Sequence, residues 1–244
     1  MANRDKLVYN RDVFFLIDRS ASMLFPDAKT ANKKRWDYLQ ETVFGHVDEI
    51  LSEEDSEFGK IADEVTLYFF NRRGRPKEST IRDSQTVMSV FSEVRPNGST
   101  FIADALQEAI EKWLGSRTEN NQGAFIVIYT DGLLDDKDEF IKVIDQTCSK
   151  INSQDEVKIL LIGLGSDVDN ESAVDFYVGL DANTKGFRSR TGENCNILIF
   201  DLIDDVMDEG LIAAFERQLI SDATKGLAYW IKERYPNVYN KYAQ

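Results

Sequence analysis

The chain has little of what cross-links a fold or builds a metal scaffold. Its 244 residues include only two cysteines, Cys148 and Cys195, and one histidine, His46. Two cysteines make neither a disulfide framework nor a zinc cluster. They read as inert core thiols of a reduced compartment, with a single Cys148–Cys195 bridge as the alternative. His46 falls beside core-facing Val47 in an amphipathic stretch and reads as a surface or boundary residue rather than a catalytic base. Long hydrophobic runs are also missing: Phe125-Ile126-Val127-Ile128-Tyr129 is far too short to span a bilayer. Met1-Ala2-Asn3-Arg4-Asp5-Lys6 lacks the apolar core of a signal peptide, which predicts a cytoplasmic protein. Basic residues are in deficit, 29 against 43 acidic, for a net charge of -14. That balance argues against a nucleic-acid backbone or an anionic membrane as partner. Repeats, low-complexity tracts and Pro/Gly/Ser linkers are absent, so one domain over 1–244 is expected.

What the chain does have is hydrophobic patterning of two alternating kinds. Residues 12–17 run into Asp18 with scarcely a polar interruption, which predicts a strand buried on both faces of a parallel sheet. Val65–Phe70, Ala124–Tyr129, Val157–Ile162 and Asn196–Phe200 read the same way. Between them, apolar residues recur at helical spacing over about 33–52, 102–114, 136–150 and 170–180. Ser52–Glu57 reads as an acidic surface turn, and an edge strand is expected near Thr86–Val90. After residue 201 the pattern is helical, with a kink near Gly210 and a further helix around Leu227, Trp230 and Ile231. Strands alternating with helices predict an α/β fold, a doubly wound, mostly parallel open sheet covered on both faces.

Three loops concentrate oxygen-bearing side chains: Asp18-Arg19-Ser20-Ala21-Ser22, Gly98-Ser99-Thr100 and Thr130-Asp131-Gly132. Open α/β sheets bind ligands beyond the carboxyl ends of their strands, at the point where strand order reverses. Each residue taken alone serves equally well as a turn or helix cap. One carboxylate and two hydroxyls from one short loop can hold a small divalent cation but do not fill an octahedral shell.

In this order and placement, the loops resemble those of the von Willebrand factor type A domain, a Rossmann-like fold with a metal-ion-dependent adhesion site. The resemblance covers about residues 12–201, with 202–244 as a helical extension. It implies a metal site of Asp18, Ser20, Ser22, Thr100 and Asp131. Ser20 and Ser22 would bind directly, Thr100 directly or through water, and Asp18 and Asp131 largely through water. Carboxylates kept one water away leave the metal electrophilic toward a partner's Asp or Glu. Mg²⁺ suits such a site, Mn²⁺ would bind as well, and Ca²⁺ fits if the loops relax. The family often has Gly-Gly-Thr where this chain has Gly98-Ser99-Thr100, which is tolerated unless Ser99 needs a positive φ. The implied function is a non-enzymatic, metal-dependent interaction module, similar to stand-alone bacterial proteins of stress-response and tellurite-resistance systems. In some relatives the final helix shifts on ligand binding.

A phosphohydrolase of the haloacid-dehalogenase type is the other reading, since it too places an aspartate after the first strand. Its motif is Asp-x-Asp, with the second Asp as general acid. Ser20 stands there in this chain and is no strong proton donor. Gly163-Leu164-Gly165 lacks the third glycine of a dinucleotide fingerprint and reads as close packing at a strand end. Asp135-Asp136 and Asp138-Glu139 read as charges at a helix amino end. The basic loop Asn71–Pro76 is either a solvated turn or a feature that steers an acidic partner.

Overall fold

Runs of β-branched and aromatic residues without polar alternation form the middle of a sheet whose two faces are both covered. The computed structural model describes residues 7–117, 123–220 and 227–243. Strand β1 (Arg11–Asp18) leads to helix α1 (Arg35–Ser52), a short hairpin of β2 (Glu54–Asp55) and β3 (Gly59–Lys60), then β4 (Val65–Phe70) and β5 (Lys77–Ile81). Helices α2 (Val87–Ser92) and α3 (Ala103–Ser116) precede β6 (Gly123–Thr130), α4 (Lys137–Cys148), β7 (Val157–Gly163), α5 (Glu171–Asp181) and β8 (Leu198–Leu202). Helices α6 (Ile203–Glu209), α7 (Leu211–Ile220), α8 (Tyr229–Arg234) and α9 (Pro236–Tyr242) follow.

The main sheet has the order β5-β4-β1-β6-β7-β8. All pairs are parallel except β4 with β5. The chain leaves β1 toward β4 on one side and later returns to β6 on the other, so a crevice opens above the carboxyl end of β1. The two faces of the sheet follow from the two-residue repeat of the strands. Phe14, Leu16, Ile126 and Ile128 face the layer of α3, α4, α5 and α8. Val13, Phe15, Ile17 and Val127 face the layer of α1, α2, α6 and α7. The doubly wound architecture is therefore as the sequence predicts.

Three expectations are corrected. The edge strand is β5, not Thr86–Val90, because Val87 and Phe91 lie one helical turn apart and are both buried in α2. Lys77–Ile81 alternates polar side chains on an exposed edge, so hydrophobic patterning does not reveal it. Ser52–Glu57 is more than a turn, since Glu54 and Asp55 pair with Lys60 and Gly59 in the hairpin. His46 is buried rather than at the surface; its Nδ1 lies 2.7 Å from the Tyr129 hydroxyl, and burial pulls its pKa down to about 4. The two cysteines are free and buried, with Cys148 Sγ donating to the Cys195 carbonyl at 3.5 Å. The bend at Gly210 is present, at φ 90°. Residues 118–122 and residues 1–6, those read for a signal peptide, lie outside the described residues. Among the described residues no helix is long and apolar enough to cross a membrane.

The C-terminal helices belong to the core. Phe215 of α7 stacks on Phe125 of β6 with ring centroids 3.9 Å apart. Glu49 of α1 accepts hydrogen bonds from Leu211 N–H at 3.2 Å and Ile212 N–H at 3.0 Å, satisfying the orphan donors at the start of α7. Phe215→Ala is accordingly expected to lower the stability of the whole domain by about 3–5 kcal/mol in urea unfolding. An unfolding midpoint equal to that of the unsubstituted protein would show α7 to be a detachable appendage.

Candidate functional site

β1 and β6 stop side by side, and each delivers an aspartate where its last hydrogen bonds end. Asp18 is fully buried and Asp131 nearly so. Two hydrogen bonds fix Asp18 in place: its Oδ1 accepts from Ser20 N–H at 2.7 Å and its Oδ2 from the Thr130 hydroxyl at 2.9 Å. Ser20 Oγ and Ser22 Oγ lie 2.9 Å apart, and Ser22 Oγ donates to Asp131 Oδ1 at 3.0 Å. Four of the five residues read as metal ligands thus form one hydrogen-bonded chain of hydroxyls and carboxylates.

The fifth, Thr100, arrives on the neighbouring loop. Ala21 N–H donates to the Gly98 carbonyl at 3.1 Å and Asn97 N–H to the Arg19 carbonyl at 2.8 Å, clasping the two loops together. Thr100 N–H donates to Asp135 Oδ2 at 2.8 Å, and its carbonyl accepts from Asp135 N–H at 3.0 Å. Among the described residues no hydrogen bond joins the Thr100 hydroxyl to the other four. Positive φ falls on Gly98, at 77°, and not on Ser99, so serine is accommodated there. A side chain at Gly98 would meet Asn71 Nδ2 at 3.1 Å, the group that holds Asn97 O at 2.6 Å.

Asp136, of the acidic pair after β6, caps α3 rather than the helix it precedes. Asp136 accepts from Ile102 N–H and Ala103 N–H at the start of α3, at 3.1 and 2.8 Å. It makes no side-chain cap on its own helix, α4, whose first turn carries Asp138 and Glu139. Asp135 and Asp136 therefore tie the loop after β6 to the loop that carries Thr100.

Arg35 is the residue that sequence reading overlooks. It is buried at the first position of α1, and Nη1 reaches Asp131 Oδ2 at 2.9 Å and Asp167 Oδ2 at 2.6 Å. Its Nη2 and Nε reach Asp27 Oδ2 at 2.6 and 3.1 Å. Asp27 also accepts from Ser166 N–H and Ser166 Oγ at 2.9 and 2.8 Å, which binds the loop after β7 to the network. A side chain at Gly165 would meet Arg35 Nε at 2.8 Å, so the second glycine of Gly163-Leu164-Gly165 leaves room for the guanidinium. A Cβ at Gly163 would meet Val168 at 2.9 Å, which bears out close packing. The overlooked signal was periodicity: Arg35 stands four residues before Leu39 on the buried stripe of α1, where a charge needs a partner.

The electrostatics favour a cation. One guanidinium, Arg35, is set against four carboxylates, those of Asp18, Asp27, Asp131 and Asp167. Burial, then the Asp131 charge, push the Asp18 carboxyl up to about 7. Burial also raises Asp131, against the pull of Arg35. Burial would raise Asp27 too, but hydrogen bonds from Ser166 and Arg35 hold it well below the usual carboxylate range. Two buried carboxylates that repel each other across two serine hydroxyls form a hard oxygen donor set of the kind Mg²⁺ takes. Among the described residues no three His, Cys, Asp or Glu side chains gather into a metal cluster, so hydroxyls are essential to such a site.

The sequence profile of the von Willebrand factor type A domain matches residues 12–192. The fold is similar to that of several solved structures. The crystal structure of manganese-loaded Plasmodium vivax TRAP protein superposes with a TM-score of 0.54 at 18% identity, covering 88% of this chain and 74% of that one. The SpRpn10 VWA domain gives 0.52 at 14% identity, covering 83% and 96%. The conserved hypothetical protein BatB from Bacteroides thetaiotaomicron gives 0.52 at 12% identity, covering 85% and 99%. Among curated proteins no sequence matches the chain.

Two measurements probe this electrostatic arrangement. Arg35→Met strands the Asp27 and Asp131 carboxylates in the interior and is expected to cost about 3–5 kcal/mol of stability, with Arg35→Lys losing less. A loss under about 1 kcal/mol would show that the network contributes little. The second concerns pH. An unfolded Asp releases its proton near pH 4, whereas folded, metal-free Asp18 keeps it to about 7. The folded state therefore binds more protons in that window, and this group's contribution to stability falls as pH rises through it. In chelator, Asp18→Asn should gain stability relative to the unsubstituted protein between about pH 4 and pH 7, read by urea unfolding at each pH. A constant difference across the window would contradict the assignment.

Proposed function

The chain belongs to the von Willebrand factor type A family, and we propose that it is a divalent-metal-dependent protein-interaction module that binds a partner's carboxylate. Domains of this family typically mediate protein–protein interaction, some of them through a metal. The observation that carries the metal-dependent reading is the chain Ser20–Ser22–Asp131, drawn up against a buried Asp18 whose charge is repelled by Asp131. Ser20 and Ser22 would hold the cation through their hydroxyls, and Thr100 would complete the protein's share from the neighbouring loop. Asp18 and Asp131 would neutralise the cation, largely through water. Both Asp131 oxygens are engaged, one by Ser22 and one by Arg35, which favours this indirect role.

Bound Mg²⁺ would supply Lewis acidity toward an incoming Asp or Glu of the partner. The protein's own residues orient the donors and exclude competing geometry. Manganese in the Plasmodium vivax TRAP structure supports a divalent ion in a domain of this fold. We read the protein as cytoplasmic and as non-enzymatic. Ser20 stands where a phosphohydrolase of the aspartate type would need its proton donor, and no observation favours that chemistry.

Calorimetric titration of Mg²⁺ into chelator-stripped protein should show one saturable site. Binding should add about 2.7 kcal/mol of stability at a free metal concentration of about a hundred times Kd. Ser20→Ala with Ser22→Ala should abolish both effects. Equal Mg²⁺ binding by the double variant would remove these loops from the function.

A further inference from the structure

Beside the serine loop, a chain rich in acid presents a cationic corner. Arg19 separates Asp18 from Ser20; its N–H donates to the Phe70 carbonyl at 3.0 Å and its carbonyl accepts from Asn97 N–H at 2.8 Å. Asp18 is in register with Phe70 at the end of β4, so the loop after β4 brings Arg72 alongside Arg19. Arg19 Nε is buried and has no hydrogen-bond partner among the described residues. No described carboxylate forms an ion pair with Arg19 or Arg72, whereas the adjacent Arg73 is engaged by Glu139 at 2.9 Å and lies over the Phe101 ring.

A buried guanidinium donor left unfilled costs free energy, and a second arginine on the adjoining loop adds positive charge that an anion would offset. The neutral Asn71 Oδ1, next to Arg72 in the chain, is likewise buried without a hydrogen-bond partner among the described residues, and no described carboxylate pairs with either arginine. Just after Ser22 in the chain, Leu24 and Phe25 expose 42% and 62% of their surface. Their position is fixed, since Phe25 N–H donates to the Ser22 carbonyl at 3.0 Å and its own carbonyl accepts from Arg35 N–H at 3.0 Å. The serine loop is thus flanked along the chain by Arg19 before Ser20 and by the exposed apolar Leu24 and Phe25 after Ser22.

We propose that Arg19 and Arg72 form a second anion subsite, and that the partner is an acidic protein segment presenting two carboxylates, one to the metal and one to these arginines, with an apolar side chain against Leu24 and Phe25. The inference rests on the metal-dependent reading above. Guanidinium forks match carboxylates in two-point hydrogen bonds, which makes the second contact directional as well as electrostatic. A net charge of -14 repels an extended polyanion, so a short acidic stretch beside an apolar residue fits the face better than nucleic acid does.

The test uses fluorescein-labelled octapeptides and anisotropy in Mg²⁺. One peptide carries Phe and a single Asp, a set adds a second Asp at successive positions after the first, and a control has Asn throughout. At the best spacing the second Asp should tighten binding on the order of tenfold. Arg19→Gln with Arg72→Gln should erase that gain and leave the single-Asp peptide's affinity within about twofold. The proposal is overturned if no spacing gives a gain, if the gain survives in the double variant, or if no peptide binds. Single-Asp binding that needs Mg²⁺ without any gain from a second Asp would sink the subsite and leave the metal reading standing. An arginine-dependent gain that persists in chelator and in Ser20→Ala with Ser22→Ala would do the reverse.

Discussion

One guanidinium holds the carboxyl end of the sheet together. Arg35 occupies the first position of α1, where the helix dipole already presents positive charge and a cation is ordinarily unfavourable. Three carboxylates reverse that balance, from Asp27 in the loop before α1, Asp131 after β6 and Asp167 after β7. Desolvating such a group is expensive, and the Coulomb attraction offsets the cost only where the geometry is good and the remaining donors are satisfied. Here Nε and both terminal nitrogens find oxygen within 3.1 Å. The position of Asp131, and with it the spacing of the two buried aspartates, depends on that arrangement.

Around this centre the loops are fastened to one another rather than to their own elements. Asp136 caps α3 rather than α4, Asn71 at the end of β4 grips Asn97, and Gly98 holds Ala21. Tyr177 of α5 donates to the Gly132 carbonyl at 2.7 Å from below. Side chains that would otherwise float on three separate loops are fixed in relation to each other by backbone hydrogen bonds. Hydroxyls and carboxylates held in this way are preorganised by their surroundings rather than by their own rotamers. The cross-links also leave little slack for any of these loops to move alone.

Much of this was legible in the sequence, for identifiable reasons. Buried parallel strands advertise themselves as apolar runs, and Asp18, Ser20, Ser22 and Asp131 follow two such runs directly, so their convergence followed from topology. Thr100 was legible as part of a motif, although its hydroxyl makes no hydrogen bond to the other four. Arg35 and Asp27 were not legible as a pair: their interaction with Asp131 and Ser166 spans distant segments, and a charge in the first turn of a helix ordinarily faces solvent. His46 was misplaced for a related reason. A lone polar residue on an apolar helix face is buried only if something across the core, here Tyr129, can satisfy it. β5 was invisible because its sequence, Lys-Glu-Ser-Thr-Ile, has no apolar periodicity until its last residue.

That polarity has a use of its own. A sheet of parallel strands ends in a row of unpaired backbone donors and acceptors, ready to recruit a strand from any neighbouring chain. β5 closes one side by turning antiparallel and placing Lys77 and Glu78 at the border, engaged with Glu93 and Lys112. An extended peptide approaching there would have to strip water from charged side chains before finding any backbone group. The border strand thus opposes strand addition along that side of the sheet.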